Sequence, residues 1–431
     1  MPYLAVMLRN RPLDDSSPKL LLRRLFDRAI ESAAAAPAVL RNLPEKPRGR
    51  CIVVGAGKAS AAMAAAIDSA WPDVNLSGVV STRYGHAVPA GRIRVLEAGH
   101  PVPDQASEAA ARQILSAVRG LTPEDLVIAL ISGGGSATMA LPIEPLGLDG
   151  KQQITQQLLN SGAPIGEINT IRKHLSRIKG GKLAEAAAPA RLLTLLISDV
   201  PGDNPADIAS GPTIPASSSP ADALELIDRY GVNVPEAVRR FLETARPACV
   251  STQPSEVRII ASPSRALEAM ARESRDLGFT PVILGDNLEG ESRELGRIHA
   301  GIGRSVRALN EPARPPAVLL SGGETTVTIG PEGAGRGGRN TEFLLALAIA
   351  LDGEPGIWAL AGDSDGIDGT DNAAGAIVTP DTLVRAEAAG FNPQETLRRH
   401  DSYSLFAATG DLVCTGPTLT NVNDIRIVMV L

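Results

Sequence analysis

Aromatic residues make up only 3% of this chain, so it has few of the flat side chains on which nucleic-acid bases stack. Basic charge is in deficit too. Lys and Arg number 42 against 48 Asp and Glu, a net charge of −6, which argues against general affinity for nucleic acid or anionic membranes but leaves room for a local basic pocket. Cysteine is scarce. Cys51, Cys249 and Cys414 are odd in number, far apart and without metal-ligand spacing, so they read as reduced thiols rather than a disulfide frame or a zinc site. No apolar run reaches membrane-spanning length, and residues 1–12 lack the apolar stretch and small-residue cleavage site of a secretion signal. The expectation is a cytoplasmic enzyme with a small-molecule partner, without membrane or nucleic acid, and with a homodimer left open.

What is present points to globular α/β structure. Hydrophobic residues reach 44% and charged residues 21% over 431 residues, which is too long for one ordinary core and makes two domains the natural reading. Apolar runs at 51–54, 78–81, 93–97, 126–131 and 192–197 alternate with helical patterns at 59–71, 107–118, 154–159 and 165–188. Such alternation predicts a mainly parallel sheet covered on both faces. A helical pattern from Ser16 to Pro37 precedes it. The Pro-flanked polar segment 246–254 reads as a linker, and a second α/β unit follows, with strands expected at 257–261, 281–284, 318–320, 325–329, 357–360 and 376–378. Domains are therefore expected at 1–248, Rossmann-like and nucleotide-binding, and at 249–431.

Several turns between these runs carry chemistry. Gly55-Ala-Gly57-Lys58 lies between a strand and a helix, where backbone amides and a lysine could meet an anion; a plain glycine turn with a solvated lysine is the alternative. It is neither a Walker A loop, since Ile52 stands five residues before Gly57, nor a NAD fingerprint, since no acid occurs at 77–84. Ser132-Gly133-Gly134-Gly135-Ser136 follows an apolar strand and could close its amides around phosphate, or serve as a flexible turn. Asp199-Val-Pro-Gly202-Asp203-Asn204-Pro-Ala-Asp207, with Ser210-Gly211 behind it, places carboxylates and turn residues at a strand's carboxyl end, which suits a metal-bound phosphate.

Arg172 and Lys179 fall two turns apart in a basic helical pattern and suit either an anionic ligand or a solvated face, while His174 reads as a satisfied helix residue. In the second half, Gly335-Arg-Gly-Gly-Arg339 reads as a flexible loop able to bring a guanidinium onto phosphate or carboxylate, Arg339 being the better candidate than Arg336. Asp363-Ser-Asp365-Gly-Ile-Asp368-Gly-Thr-Asp371 departs from calcium-loop spacing. Its carboxylates could bind substrate hydroxyls, orient Arg339, help hold magnesium or form Asx turns.

In their order along the chain, Gly55-Ala-Gly-Lys58, Gly99-His-Pro-Val-Pro-Asp104, Ser132-Gly-Gly-Gly-Ser136, Asn169-Thr-Ile-Arg172, Ser198-Asp-Val-Pro-Gly-Asp203, Ser210-Gly-Pro-Thr213, Ser321-Gly-Gly-Glu-Thr325, Gly337-Gly-Arg-Asn340 and Ala361-Gly-Asp-Ser-Asp-Gly366 resemble the glycerate 2-kinase family whose C-terminal part is the MOFRL domain. The resemblance implies a two-domain α/β enzyme, a Rossmann-like parallel sheet plus a second α/β domain with a mixed sheet. It implies transfer of the γ-phosphoryl group of ATP to D-glycerate, giving 2-phosphoglycerate, with Mg2+. Some relatives carry the label hydroxypyruvate reductase, and that NAD(P)H-dependent activity is the alternative.

On this reading Lys58 and Arg339 are catalytic and act from opposite walls of an interdomain cleft. Lys58, Arg172, Arg339 and Asp363 bind substrate. Gly55, Gly57, Gly133, Gly134, Gly135, Ser136, Asp199, Gly202, Asp203, Asn204, Ser210 and Gly211 hold ATP, with Asp199 and Asp203 on the metal. The general base stays open.

Overall fold

The computed structural model describes residues 16–245, 255–330, 333–369 and 371–431. Cys249, the linker expected at 246–254 and the stretch ahead of Ser16 lie outside them. The chain divides into two compact units, one formed by Ala35–Ala261 and the other joining the chain up to Ala34 to Ser262–Leu431.

In the first unit the apolar runs become strands β1 (Cys51–Ala56), β2 (Leu76–Arg83), β3 (Ile93–Ala98), β4 (Leu126–Ile131), β5 (Arg191–Ile197) and β6 (Ser255–Ala261). They form one sheet in the order β3-β2-β1-β4-β5-β6, with every pairing parallel. Every residue of β1 and β4 is buried, which is why both read as unbroken apolar runs: helices cover both faces of a parallel sheet. On one face Ile52, Val54, Val127 and Ala129 pack with Ile114 and Val118. Strand order reverses between β1 and β4, and open α/β sheets bind ligands in the crevice beyond the strand ends at such a point.

In the second unit β7 (Thr280–Gly285), β8 (Gly290–Glu291), β9 (Ala317–Gly323), β10 (Thr325–Thr326), β11 (Ile357–Asp363), β12 (Gly375–Val378), β13 (Leu412–Val413) and β14 (Asp424–Val430) follow. Six of them build a sheet in the order β13-β12-β11-β14-β9-β7, and β8 pairs with β10 apart from it. The six-stranded sheet is mixed, as expected: β7 and β9 are parallel and the other neighbours antiparallel. Phe343, Leu344 and Leu347 of the helix Arg339–Leu351 pack with Leu319, Ala359 and Val428.

Three expectations about organisation need correction. The strand expected at 257–261 opens no second unit; it is β6, bonded to β5, so the boundary lies at Ala261/Ser262 rather than after residue 248. Ser16–Pro37 is two helices, Ser16–Ser32 and Ala35–Leu40, and the first belongs with the second unit. Leu22, Leu25, Phe26 and Ala29 form its fully buried stripe, and Lys19 reaches Asp411 at 3.0 Å. The helix expected at 165–188 ends at His174. Ser176 then bridges to Pro142, and Gly180 and Gly181 take positive φ before a short helix at Lys182–Ala187.

Candidate active site

Three loops meet at the carboxyl ends of β1, β4 and β5. The amide of Ser132 donates to Ala56 O at 3.0 Å, that of Lys58 to Gly133 O at 2.9 Å, and that of Ala59 to Ser132 Oγ at 3.0 Å. A Cβ on Gly57 would overlap Ser132 O, and one on Gly134 would lie 2.9 Å from the His100 ring and 3.5 Å from Lys58 Cγ. Only glycine permits this approach, and both residues also have φ above 75°. Gly55 acts one layer deeper, since a Cβ there would overlap Leu130 O of the neighbouring strand.

The amides of this site divide sharply. Those of Gly57, Lys58, Ala59 and Ser60 are spent on Ser81 O, Gly133 O, Ser132 Oγ and Gly57 O, so the first glycine turn offers an anion the Lys58 ammonium and not the backbone cradle expected of it. By contrast the amides of Gly133, Gly134 and Ser136 meet no protein acceptor among the described residues. They are the amides this loop could offer to a phosphate. Gly135 closes the loop by donating to Ser132 O at 3.1 Å.

The loop after β5 lies against this cradle. Ser136 Oγ is 3.2 Å from Ser210 Oγ, and a Cβ on Gly135 would lie 2.9 Å from Ala209 Cβ. Asp203, Ala209 and Ser210 hold left-handed φ of 54°, 51° and 61°, a conformation that costs non-glycine residues about 1–3 kcal/mol each and that clusters at ligand sites. Asn204 is occupied within the loop, giving Nδ2 to Asp207 Oδ2 at 2.6 Å, and Lys173 reaches Asp207 Oδ1 at 3.2 Å. Gly202 is exposed and Gly211 buried; Asp199 and Asp203 are half-buried. Among the described residues no group of three His, Cys, Asp or Glu side chains could hold a metal.

Beside these loops the structure gathers positive charge. Lys179 is fully buried, with Nζ 2.8 Å from Ser136 O and also bonded to Ser136 Oγ. It lies beyond the helix that carries Arg172, so folding joins the two where helical spacing does not. Burial, then Lys151 and Arg172, push its pKa well below the lysine value. Burial and then Arg172 bring Lys151 down to about 8, and burial lowers Arg172. Sequence reasoning missed Lys151, which sits in a polar helix, and His100, whose only signal was its place in a Gly-His-Pro motif. His174 is the satisfied residue expected, with Nε2 3.1 Å from Ser218 O and 3.0 Å from Ser218 Oγ.

In the other unit Arg339 is anchored rather than loop-borne. It opens the helix Arg339–Leu351, whose first turn Asp368 caps by accepting from the amides of Asn340 at 3.0 Å and Thr341 at 2.9 Å. The guanidinium meets Asp424 at 2.8 Å through Nε, Glu324 at 2.6 Å through Nη1 and Asp363 at 2.9 Å through Nη2. Burial works to lower its pKa, but Asp424, Asp363 and Glu324 together raise it. Asp424 also takes Arg426 Nη2 at 2.8 Å and Asn340 Nδ2 at 2.8 Å. Of the roles weighed for the aspartate cluster, Asp363 orients Arg339, Asp368 caps the helix, and Asp371 pairs with the exposed Arg336 at 2.7 Å.

The chain as a whole is similar to known proteins. A family model described as "Domain of unknown function (DUF4147)" matches residues 21–243, and the MOFRL family model matches residues 317–424. A protein of Agrobacterium vitis, provisionally named a hydroxypyruvate reductase, is 59% identical over 97% of this chain and 95% of its own. D-glycerate 2-kinase of Thermotoga maritima is 40% identical over 96% of this chain and 99% of its own. A crystal structure of glycerate kinase from Thermotoga maritima, 39% identical, superposes with a TM-score of 0.89 over 96% of this chain and 100% of that one. With the sheet order, the glycine cradle and the anchored arginine in place, the chain belongs to the glycerate 2-kinase family of the MOFRL type.

Proposed function

We propose that this protein transfers the γ-phosphoryl group of ATP to the 2-hydroxyl of D-glycerate. The observation that carries this reading is the unspent amide cradle of Gly133, Gly134 and Ser136 beside Lys58, at the reversal of a parallel sheet, in a chain similar from end to end to D-glycerate 2-kinase. Phosphoryl transfer asks a protein mainly for positioning and charge neutralisation. The cradle amides would orient the phosphate oxygens, and Lys58 would neutralise charge as it shifts toward the leaving oxygen.

Mg2+ needs only one or two carboxylates beside phosphate and water, and Asp199 and Asp203, hard oxygen donors on the loop after β5, fit that need. When bound, the ion would neutralise charge shared between neighbouring phosphates. Arg339, backed by Asp363, would take the glycerate carboxylate or the transferred group. A nucleotide substrate and scattered thiols favour the cytoplasm as its compartment.

Hydride transfer from NADH finds less support. β2 ends in Ser81-Thr82-Arg83, where a NAD site places an acid for the ribose. A coupled assay for ADP, with D-glycerate and with or without Mg2+, run beside NADH and NADPH oxidation with hydroxypyruvate, separates the two. ADP release that requires both glycerate and Mg2+ is the expected result; reduced-nucleotide consumption without ADP release would replace the kinase with the reductase.

A further inference from the structure

The positive charge gathered behind the glycine cradle exceeds what the fold itself uses. Lys151, Arg172 and Lys179 meet no carboxylate at ion-pair distance among the described residues. Their neighbours do better: Lys173 has Asp207 at 3.2 Å, Arg177 has Glu144 at 2.9 Å, and Lys182 gives Nζ to Lys173 O at 2.9 Å and Ser176 O at 2.5 Å. An ammonium has three N–H donors, and Lys179 gives two acceptors on Ser136 its bonds. Its remaining donor has no protein acceptor among the described residues.

Packing makes one wall of these residues. The helix Gly147–Asn160, which carries Lys151, lies on the helix Ile165–His174, which carries Arg172, and the latter lies on the turn Ile208–Ser210. That turn in turn packs on Gly135–Thr138, so Ser136 joins the wall to the unspent amides of Gly133 and Gly134. Burying cations without counter-charge costs several kcal/mol per ion. Although the chain carries a net charge of −6, no carboxylate among the described residues pairs with these three cations.

We infer that Lys151, Arg172 and Lys179 form a polyphosphate subsite behind the Ser132–Ser136 cradle, which takes the phosphate tail of the nucleotide rather than the phosphate of the phosphorylated product. This deepens the kinase reading and rests on it for the identity of the nucleotide. It adds Lys151 and Lys179 to the binding residues and moves Arg172 from glycerate to the nucleotide. Lys179 would act in part through Ser136, whose backbone oxygen its ammonium holds at 2.8 Å.

The test is calorimetric titration of the full chain with Mg2+-free tripolyphosphate and, separately, with 2-phosphoglycerate. Wild type is compared with Lys151→Gln, Arg172→Gln and Lys179→Met. Lys151→Gln alters a half-buried helix position and keeps the test valid should Lys179→Met fold poorly. Each variant should bind tripolyphosphate about ten-fold or more weakly, the scale of a lost buried charge contact, with 2-phosphoglycerate affinity within about two-fold of wild type. Unchanged tripolyphosphate affinity in all folded variants overturns the subsite, and so does a loss confined to 2-phosphoglycerate. ADP release by wild type judges the kinase reading separately. A wild type that turns over, with variants indifferent in tripolyphosphate binding, would lose the subsite and keep the kinase.

Discussion

Asp363 and Asp424 stand opposite one another in the β11–β14 register, and together they grip Arg339, at 2.9 Å and 2.8 Å. Asp424 is fully buried and shared with Arg426, also fully buried, whose Nε and Nη1 have no hydrogen-bond partner among the described residues. Arg426 instead lies 5.5 Å from the centre of the Phe343 ring. Two guanidinium groups thus share this carboxylate, and among the described residues it is the one Arg426 pairs with. Removing one member of a buried ion pair leaves its partner uncompensated at a cost of about 3–5 kcal/mol. Asp424→Ala should destabilise the protein by that order in urea unfolding, and adding Arg426→Met should recover part of the loss. A double variant no more stable than the single one would show that the Arg426 charge is not what Asp424 balances.

Glu324 is the third partner of Arg339 and differs from the other two in exposure: its side chain is 57% accessible, against 6% for Asp363 and 0% for Asp424. An anion approaching Arg339 meets the least resistance by displacing Glu324, because an exposed ion pair is worth about 0–1 kcal/mol. Glu324→Gln should therefore leave stability within about 0.5 kcal/mol. It should also lower KM for glycerate while kcat changes little, the pattern of a ground-state competitor removed. Steady-state kinetics decide the matter. A raised KM would mean that Glu324 assists the substrate instead of competing with it.

Lys58 and Arg339 belong to different units, and each is expected to fail on its own when removed. Lys58→Ala and Arg339→Ala should each reduce ADP release by about 10²–10³-fold, the scale of a lost charge-stabilising donor. Lys58→Ala should keep its circular dichroism, since Lys58 is half-buried and its amide bond to Gly133 survives the change. Turnover near wild type in a folded Lys58→Ala protein would remove that residue from the chemistry.

Burial decided what could be read from the sequence. β1, β4 and β5 were legible because strands buried on both faces are continuous apolar runs. β14 was not expected: the charged pair Asp424 and Arg426 breaks the apolar run at the start of Asp424–Val430, although folding buries both. β6 was assigned to the wrong unit because the composition change precedes it, whereas its partner β5 lies far back in the chain. The two halves of the site differ for the same reason. Gly133, Gly134 and Lys58 are marked by local turn chemistry, but nothing local sets Lys151 beside Arg172, and nothing local shows that the amides of Lys58 and Ala59 are spent on the neighbouring loop.

Two histidines should make the fold sensitive to mild acid. Burial is the main cause that lowers His174 and His299 to about 4. Nδ1 of His299 is 2.9 Å from Leu295 O, which can only accept, so Nδ1 carries the proton and Nε2 accepts from Ser321 Oγ at 2.9 Å. Both nitrogens of the neutral ring are satisfied, and a second proton would reverse the Ser321 bond and bury an uncompensated charge. The unfolded chain, with an ordinary histidine pKa near ~6.5, binds a proton between about pH 6.5 and 4 that the folded chain refuses. Stability is therefore complete above the unfolded value and declines as pH falls toward 4, by on the order of 3 kcal/mol for each histidine. Urea unfolding at about pH 7.5 and 5 should show this loss in wild type. His299→Gln, which keeps an uncharged group able to bond Ser321, should show distinctly less of it, and an identical loss in the variant would assign the acid sensitivity to other groups.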